Sequence, residues 1–134
     1  MPPRNDSLNS RVSLKERQMP ITNICQLVLC TCPDQDSAQS IAEHLIDQHL
    51  VACVNILPGI TSIYSWQGKR ESAQEQLLII KSTKDIYETL EKAIIKLHPY
   101  ELPEVIAVNI ETGNENYLNW ISECISNNAN KKLS

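Results

Sequence analysis

The sequence has the length of a single globular domain and an acidic overall charge. Its 134 residues are 42% hydrophobic and 21% charged, near globular averages, which excludes a disordered or collagen-like chain. The formal net charge is −4, and a nucleic-acid-binding protein needs a basic surface, so we expect no nucleic-acid partner. With no Phe and only 4% aromatic residues, we expect a core of Ile, Leu, Val and Ala.

The sequence contains five cysteines, an odd number that cannot all pair within one chain. We recognise no secretory signal and no run approaching ~18 apolar residues, so we expect no membrane span. These features predict a cytoplasmic protein with free thiols. In that compartment, cysteines serve metal binding or redox chemistry rather than cross-linking.

Periodicity divides the chain into three parts. Residues 1–22 are rich in Pro, Asn and Ser with sparse apolar positions, so we expect a flexible N-terminal tail. Residues 23–127 alternate between strand-like and helix-like patterns and form the domain. Residues 128–134 are expected to be a frayed C-terminus. Without the tail, the chain is more acidic, with 14 acidic against 8 basic residues.

The domain begins with a strand followed by a helix. Ile24 to Thr31 is an apolar run of strand length, and Pro33 and Asp34 end it and begin a helix. The apolar positions of that helix recur at i, i+3 and i+4 spacing: Ala38, Ile41, Ala42, Leu45 and Ile46.

A long hairpin is predicted next. Residues 51–57 and 60–66 are strand-like runs, and Pro58-Gly59 between them indicates a bulge or bend. Gln67-Gly68 is typical of a two-residue hairpin turn, and residues 71–81 return as the paired strand.

The last three elements are a helix, a strand and a helix. Residues Ser82, Thr83 and Asp85 supply capping oxygens for a helix with an apolar stripe from Ile86 to Leu97. A strand from Val105 to Ile110 follows, and Gly113-Asn114 caps a final helix that reaches Ile125.

This element order predicts an α+β fold, a ferredoxin-like β-α-β-β-α-β sandwich with an extra C-terminal helix. Helices cover one face of an antiparallel sheet in that arrangement. We expect nothing within the chain to cover the other apolar face, so it should bury against other copies of the chain.

Cysteine and histidine side chains are the first candidates for chemistry. Cys30 and Cys32 lie two residues apart on a predicted strand, so their side chains share a face. Thiolates suit Cu(I) and Zn(II), and His98 follows the second helix, where a side chain can face a site. Two alternatives remain: a nucleophilic thiol, Cys30 or Cys32, paired with His98, and buried cysteines that only fill the core.

Two other functions of this topology are disfavoured by the sequence. A phosphatase of this fold needs an arginine that cradles phosphate, and the only arginine outside the tail is Arg70, near a hairpin tip. An RNA-binding domain needs aromatic residues on its central strands, where this chain has aliphatic ones.

The chain resembles the CutA family of divalent-cation tolerance proteins over about residues 24–125. The matching motifs are Leu29-Cys30-Thr31, residues 50–55, Pro58-Gly59, residues 62–69, residues 80–83, residues 98–104 and residues 117–120. The resemblance implies a ferredoxin-like subunit in a tight cytoplasmic homotrimer with a role in tolerance to copper and other divalent cations. It attaches no firm enzymatic activity, so we expect a protein that is not an enzyme.

The resemblance also implies a copper site. In the family's bacterial members, this site uses a cysteine matched by Cys30 and a pair of histidines before Pro-Tyr. Here the pair is Leu97-His98, so the implied metal ligands are Cys30 and His98. We expect no required cofactor, and copper or another divalent cation as the bound ion.

A second implied site is a cleft between subunits, since the family resembles the PII signalling proteins in architecture. Six residues match the family's characteristic positions there: Tyr64, Trp66, Glu75, Lys81, Tyr100 and Glu104. They are interpreted either as packing anchors or as contacts to a small molecule. The alternatives to a metal-binding protein are therefore a PII-like ligand sensor and a non-catalytic interaction scaffold.

Overall fold

The structure, a computed structural model, describes residues 23–133, with side chains described for residues 23–125. The expected tail, residues 1–22, lies outside the described residues. The elements are β1 (Cys25–Cys32), α1 (Gln35–Asp47), β2 (Cys53–Trp66), β3 (Lys69–Thr83), α2 (Tyr87–Leu97), β4 (Ile106–Asn109) and α3 (Glu115–Leu133), with a 3₁₀ turn at Lys84–Ile86.

The four strands form one antiparallel sheet in the order β2-β3-β1-β4. Cys30 of β1 lies opposite Leu78 of β3, and Leu29 lies opposite Ile106 of β4. The predicted ferredoxin-like α+β fold is confirmed, because the first and third strands occupy the centre of the sheet and helices alternate with strands in the expected order.

The core lies between the sheet and the helices α1 and α2. It consists of aliphatic side chains and cysteines, as the absence of Phe requires: Val28, Cys30, Cys32, Ala38, Ile41, Leu45, Leu50, Val51, Leu78, Ile80, Leu90 and Ile94. Two of the three cysteines of β1, Cys30 and Cys32, therefore point to the same side of the sheet, beneath the helices.

The hairpin β2–β3 extends beyond the rest of the sheet. Its strands shift register between Leu57 and Ile60, at the predicted bulge, where Gly59 has φ +72°. Gln67 and Gly68 both have positive φ, which identifies a type I′ turn. Because β1 ends opposite Gln76, the outer half of the hairpin pairs, among the described strands, only with itself.

Two of the predicted helix caps are present in the structure and one is absent. Oδ1 of Asp34 accepts the Ser37 N–H at 2.8 Å, and Oδ1 of Asn114 accepts the Tyr117 N–H at 2.9 Å. The expected side-chain cap of α2 is absent, because the 3₁₀ turn Lys84–Ile86 precedes the helix and puts Ile86, which has no capping oxygen, at its N-terminus. Ser82 is used elsewhere. Its hydroxyl donates to the Leu50 carbonyl at 2.7 Å and ties β3 to the segment that enters β2.

The expectation that nothing within the chain covers the second face of the sheet is wrong at one end. There α3 packs against β1, and the Cys25 thiol donates to the Leu118 carbonyl at 3.6 Å. The sequence pattern identifies α3 as amphipathic but does not specify which face its apolar side chains cover. The rest of this face still presents half-exposed Leu57, Ile106 and Val108.

Helix α3 also includes most of the segment that was expected to fray. Its described backbone continues to Leu133. Fraying of residues 128–134 remains a prediction.

Candidate functional site

A cluster of potential metal ligands lies at the end of β1 beneath the helices. The ligand atoms of Cys30, Cys32 and His98 all lie within 4.8 Å of one another. Both cysteines have no exposed surface, and His98 is 8% exposed. The structure thus brings together the two predicted ligands, Cys30 and His98, and adds Cys32.

Local sequence explains how each ligand reaches the cluster. Alternation along β1 places Cys30 and Cys32 on one face. Pro99 forces the preceding residue out of the helical region, so His98 is extended, with φ −77° and ψ 139°, and α2 ends at Leu97. The His98 N–H still donates to the Ile94 carbonyl at 2.9 Å, which anchors the ring to the helix end.

Two hydrogen bonds fix the His98 ring and its proton. Nδ1 accepts the Tyr100 N–H at 3.0 Å, so the ring proton lies on Nε2, which donates to the Thr31 carbonyl at 2.7 Å. The rings of His98 and Tyr100 are also in contact, with centroids 4.8 Å apart. These two contacts fix the orientation of the His98 ring and direct Nε2 toward the Thr31 carbonyl.

The two thiols of the cluster have unequal acidity. A hydrogen bond from the Cys30 thiol to the Cys32 sulfur, reinforced by burial, raises the pKa of Cys30. The same hydrogen bond lowers the pKa of Cys32. Cys32 is consequently the thiol that ionises first, and its Sγ lies 3.7 Å from His98 Nε2.

Two sulfurs and one imidazole nitrogen form a donor set that suits a soft cation such as Cu(I) or Zn(II). To bind a metal through Nε2, His98 would exchange its hydrogen bond to the Thr31 carbonyl for the ion. Leu97, which stands where the family's bacterial site has a histidine, has no donor atom. Cys32 thus provides the third donor within this cluster.

The same residues do not match the geometry of an activated nucleophile. A histidine that takes a proton from a thiol needs an unprotonated nitrogen facing the sulfur. Here the nitrogen that faces Cys32 carries the ring proton, and both sulfurs are buried without exposed surface. The arrangement is more consistent with a ligand set.

A cleft of about 700 Å³ lies between the outer half of the hairpin and the loop that joins α2 to β4. Five of the six predicted cleft residues line it: Tyr64, Trp66, Glu75, Tyr100 and Glu104. Glu75 is only 7% exposed, and its Oε2 accepts the Tyr100 hydroxyl at 2.6 Å. Burial, together with the Glu75 carboxylate, raises the pKa of Tyr100, which keeps its hydroxyl a donor.

The sixth predicted residue, Lys81, lies away from this cleft. It is six residues from Glu75 along β3, about 20 Å in an extended strand. Its ammonium donates to Asn55 Oδ1 and lies 4.0 Å from Cys53 Sγ. Within one chain, Lys81 therefore cannot contribute to the same cavity as Glu75.

Sequence reasoning considered Cys32 but settled on Cys30 and His98 as the ligand set. The signal for Cys32 is the two-residue spacing on a strand, which places both sulfurs on the same face. The sequence alone does not indicate that the residue after α2 meets that face at Cys32. This contact depends on how α2 packs across the sheet.

The fold and this thiol–imidazole cluster define a ferredoxin-like protein with a candidate metal site. The family model described as CutA1 divalent ion tolerance protein matches residues 26–124. The chain belongs to this family. Among the described residues, no helix is long and apolar enough to cross a membrane.

Individual relatives agree with the family match. The chain is 45% identical over 98 residues to the divalent-cation tolerance protein CutA of Thermus thermophilus, covering 73% of this chain and 95% of that protein. It is 36% identical over 121 residues to the chloroplastic Protein CutA of Arabidopsis thaliana, covering 90% of this chain and 65% of that protein. The crystal structure of CutA from Xylella fastidiosa superposes with a TM-score of 0.74 at 44% identity, covering 75% of this chain and 97% of that one.

Proposed function

We propose that this protein is a cytoplasmic homotrimer that binds copper or another divalent cation through Cys30, Cys32 and His98 and acts in the response to metal ions. The observation that carries this proposal is the convergence of three buried ligand atoms within 4.8 Å. The role is binding rather than catalysis, in keeping with a His98 ring that holds its proton toward Cys32.

Trimer formation is supported by the second face of the sheet. Leu57, Ile106 and Val108 are each at least half exposed there, and isolated proteins seldom leave such a face in water. A trimer would bury these side chains around a three-fold axis. Sedimentation should then give a mass near three times the 15.1 kDa of the chain, and a stable monomer would contradict it.

Metal binding is tested by titrating the full chain anaerobically with Cu(I), and separately with Zn(II), against a chromophoric chelator. One ion per chain is expected. Cys30→Ser, Cys32→Ser and His98→Gln should each weaken binding by at least about tenfold, because each removes a ligand from the set.

The matched control is Cys53→Ser, the same change at a cysteine outside the cluster, which should leave the affinity unchanged. Equal losses in Cys53→Ser and Cys32→Ser would indicate adventitious thiol binding and contradict the proposed site. Wild-type binding no tighter than millimolar would contradict metal binding itself.

A further inference from the structure

The cleft contains a buried carboxylate without a countercharge. Within residues 23–125, Glu75 is the one carboxylate that is at least nine-tenths buried. Its Oε2 accepts the Tyr100 hydroxyl, and among the described residues no other side chain donates to this carboxylate and no cationic side chain pairs with it. A buried carboxylate is unfavourable unless paired, so this position favours a cation that carries hydrogen-bond donors.

The rest of the cleft lining also favours a cation. The aromatic rings of Tyr64, Trp66 and Tyr100 line it, and aromatic faces attract cations. The carboxylates of Glu101 and Glu104 line its wall, and no Lys, Arg or His does so among the described residues. Carboxylates of one sign within a concave surface concentrate oppositely charged ligands.

The chemistry of the lining separates three kinds of cation. A divalent metal ion takes oxygen ligands, so it would use the carboxylates of the lining but not its aromatic faces. A quaternary ammonium suits aromatic faces but has no N–H to donate to Glu75 Oε1. A primary ammonium on an aliphatic chain satisfies both requirements, since its N–H groups reach the carboxylate while its methylene groups pack on the rings.

We propose that this cleft binds an aliphatic polyamine, with one primary ammonium donating to Glu75 Oε1 and a second facing Glu101 or Glu104. A cavity of about 700 Å³ is of the usual size for small-molecule sites. Its lining combines one buried carboxylate with two exposed ones, which gives each charge of an elongated amine a partner. This site goes beyond the proposed metal binding and uses none of the cluster's ligands.

The test is calorimetric titration of the full chain with spermidine at about 0.15 M salt, where nonspecific surface attraction is screened. Saturable binding is expected. Glu75→Gln should weaken it by at least tenfold, because the amide keeps an acceptor for Tyr100 but removes the charge. Trp66→Leu should weaken it about fivefold through loss of the aromatic face.

The matched control is Glu88→Gln, the same change at an exposed position on α2, which should alter the affinity less than twofold. Choline and Mg²⁺ should bind at least tenfold more weakly than spermidine. The proposal is overturned by no saturable binding, by equal affinities of wild type and Glu75→Gln, or by choline binding as tightly as spermidine.

A basic side chain from another copy is the remaining occupant to exclude. If the hairpin tip of a neighbouring subunit filled the cleft, Arg70→Gln would empty it and strengthen spermidine binding severalfold. That result would overturn the proposal in favour of a contact between copies. Under the proposal, Arg70→Gln leaves the affinity unchanged.

Discussion

Single side chains at the end of α2 connect the two candidate sites of this protein. His98 contributes its ring to the thiol cluster, and through Nδ1 it accepts the backbone N–H of Tyr100. The hydroxyl of Tyr100 in turn donates to Glu75 in the cleft. The tripeptide His98-Pro99-Tyr100 therefore places one side chain in each site, which gives a structural reason for the motif that the sequence analysis matched to the family.

The hairpin turn allows a prediction at the scale of one residue. Gln67 adopts φ +50°, a left-handed conformation that is unfavourable for most side chains and that Asn tolerates. Gln67→Asn should raise the free energy of unfolding by about 0.5–1 kcal/mol, since Asn-Gly is the preferred sequence of a type I′ turn. Urea denaturation at a fixed protein concentration measures it.

The opposite change provides the comparison for this turn. Gln67→Val places a β-branched residue at positive φ and should lower the free energy of unfolding. Equal stabilities for the Asn and Val variants would mean that the turn conformation does not contribute to stability.

Strand and helix patterns identified most elements because their physical causes are local. An apolar run of strand length predicted β1, Pro58-Gly59 predicted the bulge, and Gln67-Gly68 predicted the turn. The predicted side-chain cap of α2 is absent and the position of α3 was not predicted, because both features depend on tertiary contacts. Ser82 bonds to Leu50, and α3 settles on a face that its own sequence does not specify.

The N-terminus of α1 allows a prediction on pH. Hydrogen bonding to Ser37, mainly from its backbone N–H and to a lesser extent from its side chain, holds the pKa of Asp34 below its ordinary value. The ionised cap therefore stabilises the fold above the unfolded-state pKa of about 3.9 and loses this contribution as pH falls through the lower folded pKa. Denaturation from pH 7 down to pH 3 should show this loss.

Asp34→Asn isolates that contribution, since Asn also caps helices but does not titrate. The stability of wild type relative to Asp34→Asn should fall as the pH drops below about 4. Parallel stability curves for the two proteins over this range would contradict the assignment.

The thiol–imidazole cluster depends on how the whole domain packs, whereas each strand is determined mainly by its local sequence. Cys30 and His98 were inferred from their residue types and from the family resemblance, yet they lie far apart in sequence and meet only because α2 crosses the sheet. The set of three ligands could be identified only from the structure, because no sequence spacing specifies where the end of a helix meets a strand. The six cleft residues were predicted together from the family resemblance, and the sequence did not indicate that Lys81 lies apart from the other five.

The open sheet face allows a prediction for the assembly. Ile106→Glu introduces a charge on β4, in a row with Leu29 and Ile79, and should dissociate the proposed trimer. Ile95→Glu is the matched control, since Ile95 and Ile106 are 51% and 53% exposed in the single chain. It should leave the mass unchanged, because Ile95 lies on α2 and not on the open sheet face. Sedimentation velocity distinguishes the two.

An unchanged sedimentation coefficient in Ile106→Glu would exclude this face from the subunit contact. Dissociation in both variants would instead indicate a general loss of stability.

Because side chains alternate along β1, one short segment contributes to both candidate sites. Cys30 and Cys32 enter the cluster beneath the helices, while Thr31 lines the cleft and its carbonyl receives His98. A slip of β1 by one residue against β3 would turn Thr31 inward and both sulfurs outward. A single-residue insertion or deletion in β1 would thus disable two sites at once, so this strand has far less freedom to vary in length during evolution than the loops around it.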